Sequence, residues 1–466
     1  MKSSKKTLPA REAALKILGV YRQRKAWSDL ALNSVLSGAN LSAAETSLTV
    51  QLVYGVLQNM ALCDFYAAHF SSMELKKLEP RVLDILRLSI YQIAFLTKIP
   101  HTAAVNEAVS LTKKFSNPRA AGYVNALLRK ISKAAEDESL PEIIGSKHQV
   151  LSIKYSHPQW LVSELCNTLG EEAAEAALIQ NNMPDVPVTV QVNTLISNTN
   201  EVLSLLKESG IEAKKHSWLA DCIEFRGAGN ITRLESYKKG FFYVQDAAAR
   251  LAVMAASPKE GGFVIDGCAA PGGKSFASAL MMNNKGIILA CDVHAAKLKH
   301  IENGCARMGI GIINAIVADA SKDSECSYIP SRYRGDKKNI SEGMADIVLA
   351  DVPCSGFGVI RKKPEIRYKT QQEIAGLPEL QSRILKTLSN HVAPGGILLY
   401  STCTILRSEN EDVVEAFLKE NKAFALEAFS LPGVGSVPGG MITLWPHIHG
   451  TDGFFVCKLR KWEMEN

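Results

Sequence analysis

The sequence predicts a multidomain chain in which an all-α bundle precedes a doubly wound α/β domain with a mostly parallel sheet. Three observations predict it. A helical apolar period without convincing strand alternation runs from Pro9 to about Ala135. From about Gly240 the rhythm changes to short apolar runs alternating with helical stretches. The length, 466 residues, exceeds what one core usually holds, so two or three units are expected. With 47% hydrophobic and 21% charged residues and no long biased tract, all of them can be packed.

In chain order, the bundle is read as helices at 10–24, 28–37, 42–59, 80–99, 102–115 and 119–134, which places a first domain at 1–140. Between Pro80 and Ile99 the residues Val82, Leu83, Ile85, Leu86, Ile90 and Ile93 share one broad face, and Pro80 suits a first helical turn. Glu136 to Lys147, rich in Asp, Glu, Ser, Pro and Gly, reads as a linker. Residues 148–240 mix short helices with strand-like runs such as Val186 to Val192, giving a small α/β connecting subdomain. The third domain, 241–466, carries apolar runs at Phe263–Gly267, Gly286–Val293, Asn314–Ala318, Asp346–Ala350 and Gly396–Tyr400. Parallel strands buried on both faces need such runs. Ligands of these sheets sit beyond the carboxyl ends of the strands, so the residues just after each run matter most.

Charge is unevenly spread. Residues 1–150 hold 20 Lys and Arg against 12 Asp and Glu, while the remaining 316 hold 33 against 35. A basic bundle beside a near-neutral domain fits a polyanion-binding module joined to a catalytic one, and equally a solvated Lys-rich helical surface. The basic start, Met-Lys-Ser-Ser-Lys-Lys, is followed by no apolar segment, and no run reaches the length of a membrane span, so a cytoplasmic protein without membrane contact is expected. Ten cysteines without a Cys-x-x-Cys pair or His at ligand spacing argue against disulfides and against a metal site.

The first strand runs into Asp266-Gly-Cys-Ala-Ala-Pro-Gly-Gly-Lys-Ser275, a turn whose three glycines let backbone N–H groups approach a ligand. It is not a phosphate-binding P-loop, because Cys268 stands where that motif requires glycine, and the G-x-G-x-x-G pattern is absent. Asp292 closes the second strand, where a carboxylate can accept both ribose hydroxyls, and Asp319 follows the third, near an adenine position. Acids at three successive strand ends suit a cationic nucleoside with an amino-acid tail, S-adenosyl-L-methionine, better than a polyphosphate. Any one alone is more often a cap or a surface acid.

The fourth strand runs into Ala350-Asp-Val-Pro-Cys-Ser-Gly-Phe-Gly358 and the fifth into Ser401-Thr-Cys-Thr404. If these strands are neighbours, Cys354 and Cys403 meet in one pocket. Carbon 5 of cytosine is a poor nucleophile, and a thiolate adding at carbon 6 makes it an enamine able to take a methyl group. Methylation of an exocyclic amine needs no such step. Singly, each cysteine reads as a small buried hydrophobe. The residues themselves do not choose which thiol attacks. Asp351 is read as able to hydrogen-bond the cytosine edge during attack. The Ser408-Glu-Asn-Glu411 run reads as a capping box opening a helix to about Lys419, and Arg361, Lys362 and Lys363 as either phosphate contacts or a solvated run. The stretch Ser331–Gly343 reads as a mobile insertion.

Two resemblances join these readings. Ile99-Pro-His-Thr-Ala-Ala-Val-Asn-Glu-Ala-Val with Gly122-Tyr-Val-Asn-Ala-Leu-Leu-Arg129 resembles the NusB-type helical RNA-binding domain, over most of residues 1–135. The turn Asp266–Ser275, the block Asp351–Glu365 and Ser401-Thr-Cys-Thr resemble the signatures of the NOL1/NOP2/Sun family of RNA cytosine-C5 methyltransferases. The resemblance implies a Rossmann-like class I methyltransferase with Cys403 as nucleophile and Cys354 assisting product release. It also implies cofactor contacts from Cys268, Ala269, Ala270, Pro271, Gly272, Gly273, Lys274, Asp292, Asp319 and Asp351. The expected substrate is one cytosine of 16S rRNA, position 967 in the family, as naked RNA or in a small-subunit assembly intermediate. The protein is expected to act as a monomer. The same chemistry on tRNA, or less readily on DNA, and a catalytically silent ribosome-assembly RNA-binding factor are the alternatives. The target base has to be unstacked to reach the thiol, which favours single-stranded or loop RNA.

Overall fold

The computed structural model describes residues 9–24, 32, 34–36, 38–39, 41–184, 186–227, 229–322 and 344–462. The chain divides into two compact units. The first runs to Pro184 and adds a short excursion, Ile360–Tyr368; the second comprises Asp185–Val359 and Lys369–Asn466. The expected helix at 28–37 falls largely, and the expected insertion at 331–343 wholly, outside the described residues.

The first unit is helical. Its bundle contains α1 (Ala10–Arg24), α2 (Ala43–Gln58), α3 (Met60–Phe70), α4 (Pro80–Phe95), α5 (His101–Phe115) and α6 (Ala121–Glu136). Helix α2 starts where the Ser42 side chain accepts from the Glu45 N–H and Glu45 returns the bond, a full capping box. Pro80 sits in the first turn of α4, where its missing N–H costs nothing. The apolar faces merge into one core around Leu52, Val56, Ile85, Leu88, Val124 and Leu128. Gly55 is required within it, because a Cβ there would overlap the Tyr91 ring. Helix α3 was not read from the sequence; it follows α2 after a single intervening residue, Asn59, whose backbone N–H bonds back to Gly55 and Val56. Three further helices complete the unit, α7 (Lys147–Lys154), α8 (Gln159–Leu169) and α9 (Glu171–Asn181).

The second unit opens with a small antiparallel sheet of β1 (Val188–Val192), β2 (Ala213–Lys215), β3 (Cys222–Phe225) and β4 (Phe242–Val244), in the order β2-β3-β1-β4, with α10 (Thr199–Glu208) connecting β1 to β2. Helix α11 (Ala247–Ala256) leads into the main sheet: β5 (Phe263–Asp266), α12 (Gly273–Met281), β6 (Ile287–Asp292), α13 (Ala295–Met308), β7 (Ile313–Val317), β8 (Ala345–Asp351), α14 (Leu377–Ser389), β9 (Val392–Thr402), α15 (Glu411–Glu420), β10 (Phe424–Leu426), β11 (Met441–Leu444) and β12 (Phe454–Lys461). The order is β10-β12-β9-β8-β5-β6-β7, with β11 paired to β12. The five expected strands, β5 to β9, pair in parallel. The antiparallel edge, β12 on β9, was not read.

Burial alternates along the strands as a doubly wound sheet demands. Val264, Ile288, Ile347, Leu349, Leu399 and Val456 face one layer with α11 and α12, while Ile265, Leu289, Val348, Ala350, Tyr400 and Phe455 face the other with α14 and α15. The chain winds outward from β5 through β6 to β7 and then returns to the far side of β5 as β8. That reversal opens a crevice at the carboxyl ends of β5 and β8, where such folds bind ligands.

Candidate active site

All the expected site residues lie at this carboxyl edge. Asp266 ends β5 and is fully buried; its Oδ2 accepts from Ser275 Oγ at 2.7 Å, while Oδ1 is buried without a hydrogen-bond partner. Burial, more than any neighbour, pushes its carboxyl up to about 6. A buried acceptor with nothing to accept is costly unless a ligand completes it. The turn then folds tightly, with Gly267 N–H on Leu349, Ala269 N–H on Cys291 and Gly272 N–H on Ala269. Gly272 is left-handed, φ 111°, and a side chain there would strike the Phe276 ring. The Cys268 thiol is pushed up, first by burial and then by Asp266, so it stays protonated.

Asp292 ends β6, is buried, and accepts the His294 N–H at 2.9 Å. Asp319 accepts both the Ser321 N–H and Oγ, which holds its carboxyl below the usual range, and pairs with Lys322 at 3.3 Å. Exposed Val293 and Val317 flank these acids at the ends of β6 and β7. An orphaned buried acid, a glycine turn and apolar residues beside two strand-end acids fit a nucleoside with a cationic amino-acid tail.

Strands β8 and β9 are adjacent and parallel, with Asp351 opposite Ser401. This register carries Cys354 and Cys403 to the same edge, and their sulfurs lie 3.2 Å apart. The shared hydrogen bond lowers Cys403 and raises Cys354 well above the ordinary thiol range, with burial adding to the rise of Cys354. The two thiols are thus a coupled pair, and a proton shared between them favours one thiolate over two.

Asp351 is engaged on both oxygens. Oδ1 accepts from Ser401 Oγ at 2.8 Å and Oδ2 pairs with Lys274 Nζ at 2.6 Å. Lys274, 8% exposed, also sits 4.9 Å from the Phe454 ring centroid. A carboxylate has about four acceptor positions, so Asp351 keeps capacity for a further donor.

The loops carrying the cysteines are stitched to each other. Ser355 N–H donates to Glu409 Oε2, and the Ser355 and Thr404 hydroxyls lie 2.7 Å apart. Gly358 N–H donates to the Cys403 carbonyl and Gly453 N–H to the Gly358 carbonyl. A Cβ on Gly358 would run into that Gly453 carbonyl. Glu409 also takes Gln381 Nε2 at 2.8 Å. Sequence reading missed Ser355, Gln381, Glu409 and Gly453. Only Glu409 carried a signal, as an acid within the run after the cysteine motif, and that run was read differently. The capping box expected at Ser408 is not formed: residues Arg407–Glu409 make a 3-10 turn, α15 starts at Glu411, and Glu409 and Asn410 turn inward instead. Asn410 Oδ1 accepts from Thr402 Oγ1, and its Nδ2 donates to the Thr404 carbonyl. A second correction concerns one residue of the basic run: Arg361 is buried and so neither solvated nor open to a phosphate, while Lys362 and Lys363 are half-buried.

Among the described residues no His/Cys/Asp/Glu group is arranged to hold a metal, and no helix is long and apolar enough to cross a membrane. The sheet order, the glycine turn and the strand-end acids define a class I methyltransferase. Family models match three successive parts: the NusB family at residues 8–133, a ferredoxin-like domain of RsmF/B-type methyltransferases at 157–232, and the 16S rRNA methyltransferase RsmB/F at 253–460. The chain is 37% identical to the probable ribosomal RNA small subunit methyltransferase B of Bacillus subtilis, covering 98% of this chain and 99% of that one. It is 30% identical to the counterpart of the same description in Synechocystis, over 97% and 100%. The crystal structure of PH0851 superposes with a TM-score of 0.79 at 28% identity, over 98% of this chain and 100% of that one. The chain belongs to the RsmB/F family of 16S rRNA methyltransferases.

Proposed function

We propose that the protein methylates carbon 5 of one cytosine in 16S rRNA with S-adenosyl-L-methionine as donor, Cys403 as nucleophile and Cys354 assisting release. The observation that carries this reading is the pair of sulfurs 3.2 Å apart at the ends of neighbouring strands, beside the glycine turn. The turn from Cys268 to Lys274, with Asp292, Asp319 and Asp351, would hold the cofactor. When bound, it supplies an electrophilic methyl group.

Cys403 adds as thiolate to carbon 6 of the flipped base, forming a C–S bond and making carbon 5 nucleophilic. The hydrogen bond shared with Cys354 lowers its pKa and so favours the attacking form. Asp351, which Ser401 and Lys274 hold, would receive a donor from the base edge. Once carbon 5 carries its methyl, loss of the carbon 5 proton to a base lets the C–S electron pair return to Cys403. Cys354, hydrogen-bonded to the departing sulfur, favours that release.

The test is direct. With 16S rRNA transcript and labelled cofactor, Cys403→Ala is expected to lose activity by at least about 10³-fold, in line with removal of a nucleophile. Cys354→Ala is expected to accumulate a protein–RNA adduct that survives denaturation. Normal methylation by Cys403→Ala would overturn the assignment, and labelled tRNA with unlabelled 16S rRNA would redirect the substrate.

A further inference from the structure

Beside the glycine turn one side chain holds a donor that the fold does not use. Gln245 lies between β4 and α11 and is 7% exposed. Its backbone is pinned on both sides: the N–H donates to the Thr189 carbonyl at 3.2 Å, and the carbonyl accepts from Gln191 Nε2 at 3.2 Å. The next residue, Asp246, caps α11 by accepting the Ala248 N–H and also accepts the Asp452 N–H, each at 3.0 Å. The side chain is oriented as firmly. Tyr243 is buried, and burial pushes its phenol up, so its Oη keeps a proton that needs an acceptor. It donates to Gln245 Oε1 at 3.1 Å. That bond sets the sense of the amide, with the oxygen toward Tyr243 and Nε2 directed elsewhere.

Nε2 lies against the turn. A Cβ on Gly273 would be 3.1 Å from it, so the amide fills the space that a side chain would take at the first residue of α12. Among the described residues Nε2 has no hydrogen-bond partner, and it is not sealed off as Asp266 Oδ1 is. Helix α12 starts from Gly272 and no side chain caps it, so its first N–H groups lack intrahelical partners. A side-chain amide and a helix N-terminus thus present donors at one point, and the helix adds the positive end of its dipole. Such a set calls for an anion. The acids of the same edge, Asp266 and Asp351, disfavour a phosphate dianion there, whereas a single carboxylate suits it.

We propose that Gln245 binds the cofactor: its Nε2 donates to the carboxylate of S-adenosyl-L-methionine, and Tyr243 is the positioning residue that holds the amide in that sense. This rests on the reading above that the glycine turn holds this cofactor. The carboxylate takes no part in methyl transfer, so the bond is worth the same before and during the reaction. It therefore serves affinity for the cofactor and leaves the chemical step unchanged.

Equilibrium dialysis of the full-length protein tests this, with S-adenosyl-L-methionine and with its decarboxylated form, which keeps the sulfonium and the amine and lacks only the carboxylate. Wild type is expected to prefer the intact cofactor by at least about tenfold, the scale of a hydrogen bond to a charged group. Gln245→Met, similar in size and without a donor, is expected to bind the intact cofactor about tenfold more weakly and the decarboxylated form within about twofold of wild type. Tyr243→Phe, which frees the amide to turn, is expected to lose about threefold for the intact cofactor alone. With 16S rRNA transcript, the KM for cofactor is expected to rise in Gln245→Met while kcat holds within about twofold. A merely structural glutamine would weaken both ligands alike. That result, or unchanged binding of the intact cofactor by Gln245→Met, overturns the proposal. Gln245→Glu, of the same shape with an acceptor in place of the donor, carries the same comparison should Gln245→Met fail to fold. Wild type that binds neither form would end the cofactor reading itself, a result distinct from a preference that survives in the variants.

Discussion

Each unit buries cations, and one in each, Arg367 and Lys274, is neutralised in a different way. In the helical unit Arg367 is met by backbone and amide carbonyls at three helix ends. In the α/β unit Lys274 is met by a carboxylate, Asp351, whose side chain is 29% exposed at the mouth of the crevice. The first arrangement is closed: every hydrogen-bond partner is part of the fold, at helix ends that cannot move without unwinding, and the buried Glu365 carboxylate also acts on the charge. The second is open, with a titratable partner that still has acceptor positions free for a ligand. A buried charge held by dipoles secures architecture, whereas one held by an acid at a strand end serves chemistry.

The sharpest way to break this comparison is to remove each cation. Arg367→Met leaves several helix-end carbonyls buried and unanswered, and the expected loss is about 3–4 kcal/mol of stability, read as a lowered first transition in calorimetry or urea. Lys274→Met is expected to do the opposite: methyl transfer falls by about 10²-fold, about 2.7 kcal/mol, while the urea midpoint moves little. Equal stability losses in both variants would erase the distinction.

Two pH profiles sharpen it. Asp266 sits with its carboxyl raised to about 6, so it becomes protonated as pH falls through that value. Cofactor binding measured by calorimetry is expected to weaken below pH 6, by up to about tenfold per pH unit, and Asp266→Asn is expected to flatten the profile. A flat wild-type profile from pH 5 to 8 would detach Asp266 from the cofactor. In the helical unit, His157 is fully buried, and burial and then Arg367 hold it well below the ordinary histidine range. The folded state keeps it neutral, while the unfolded chain takes up a proton below about pH 6.5. Its contribution is therefore intact above that pH and lost as pH falls below it, by at most about 1.4 kcal/mol per unit. His157→Gln is expected to remove this slope in urea titrations, the smallest of the four effects.

Legibility followed the range of the interaction. Periodicity gave most of the bundle's helices, because helical apolar faces repeat locally, but it passed over α3, which α2 abuts. Buried parallel strands announced themselves as apolar runs, whereas the antiparallel edge at Phe454–Lys461 did not, since no following helix frames it. At the site, Asp266, Asp292, Asp319 and Asp351 were readable as strand-end acids. Glu409 was not, because its role as the anchor of Ser355 depends on a residue 54 positions away. Arg361 misled for a related reason: three consecutive cations look solvated until the fold is seen to bury the first.

By itself, the sequence determined the succession of a NusB-type helical domain and a doubly wound sheet, and which residues form the glycine turn, the strand-end acids and the pair of cysteines at the sheet edge. These depend on local pattern and on side-chain chemistry that position along the chain preserves. Only the tertiary structure decided that the two sulfurs share one hydrogen bond, that Lys274 answers Asp351, and that Arg367 closes three helices. Each of these is a meeting of groups distant in sequence, set by strand order and helix packing, and an unpaired charge becomes costly only once the fold has removed the water around it.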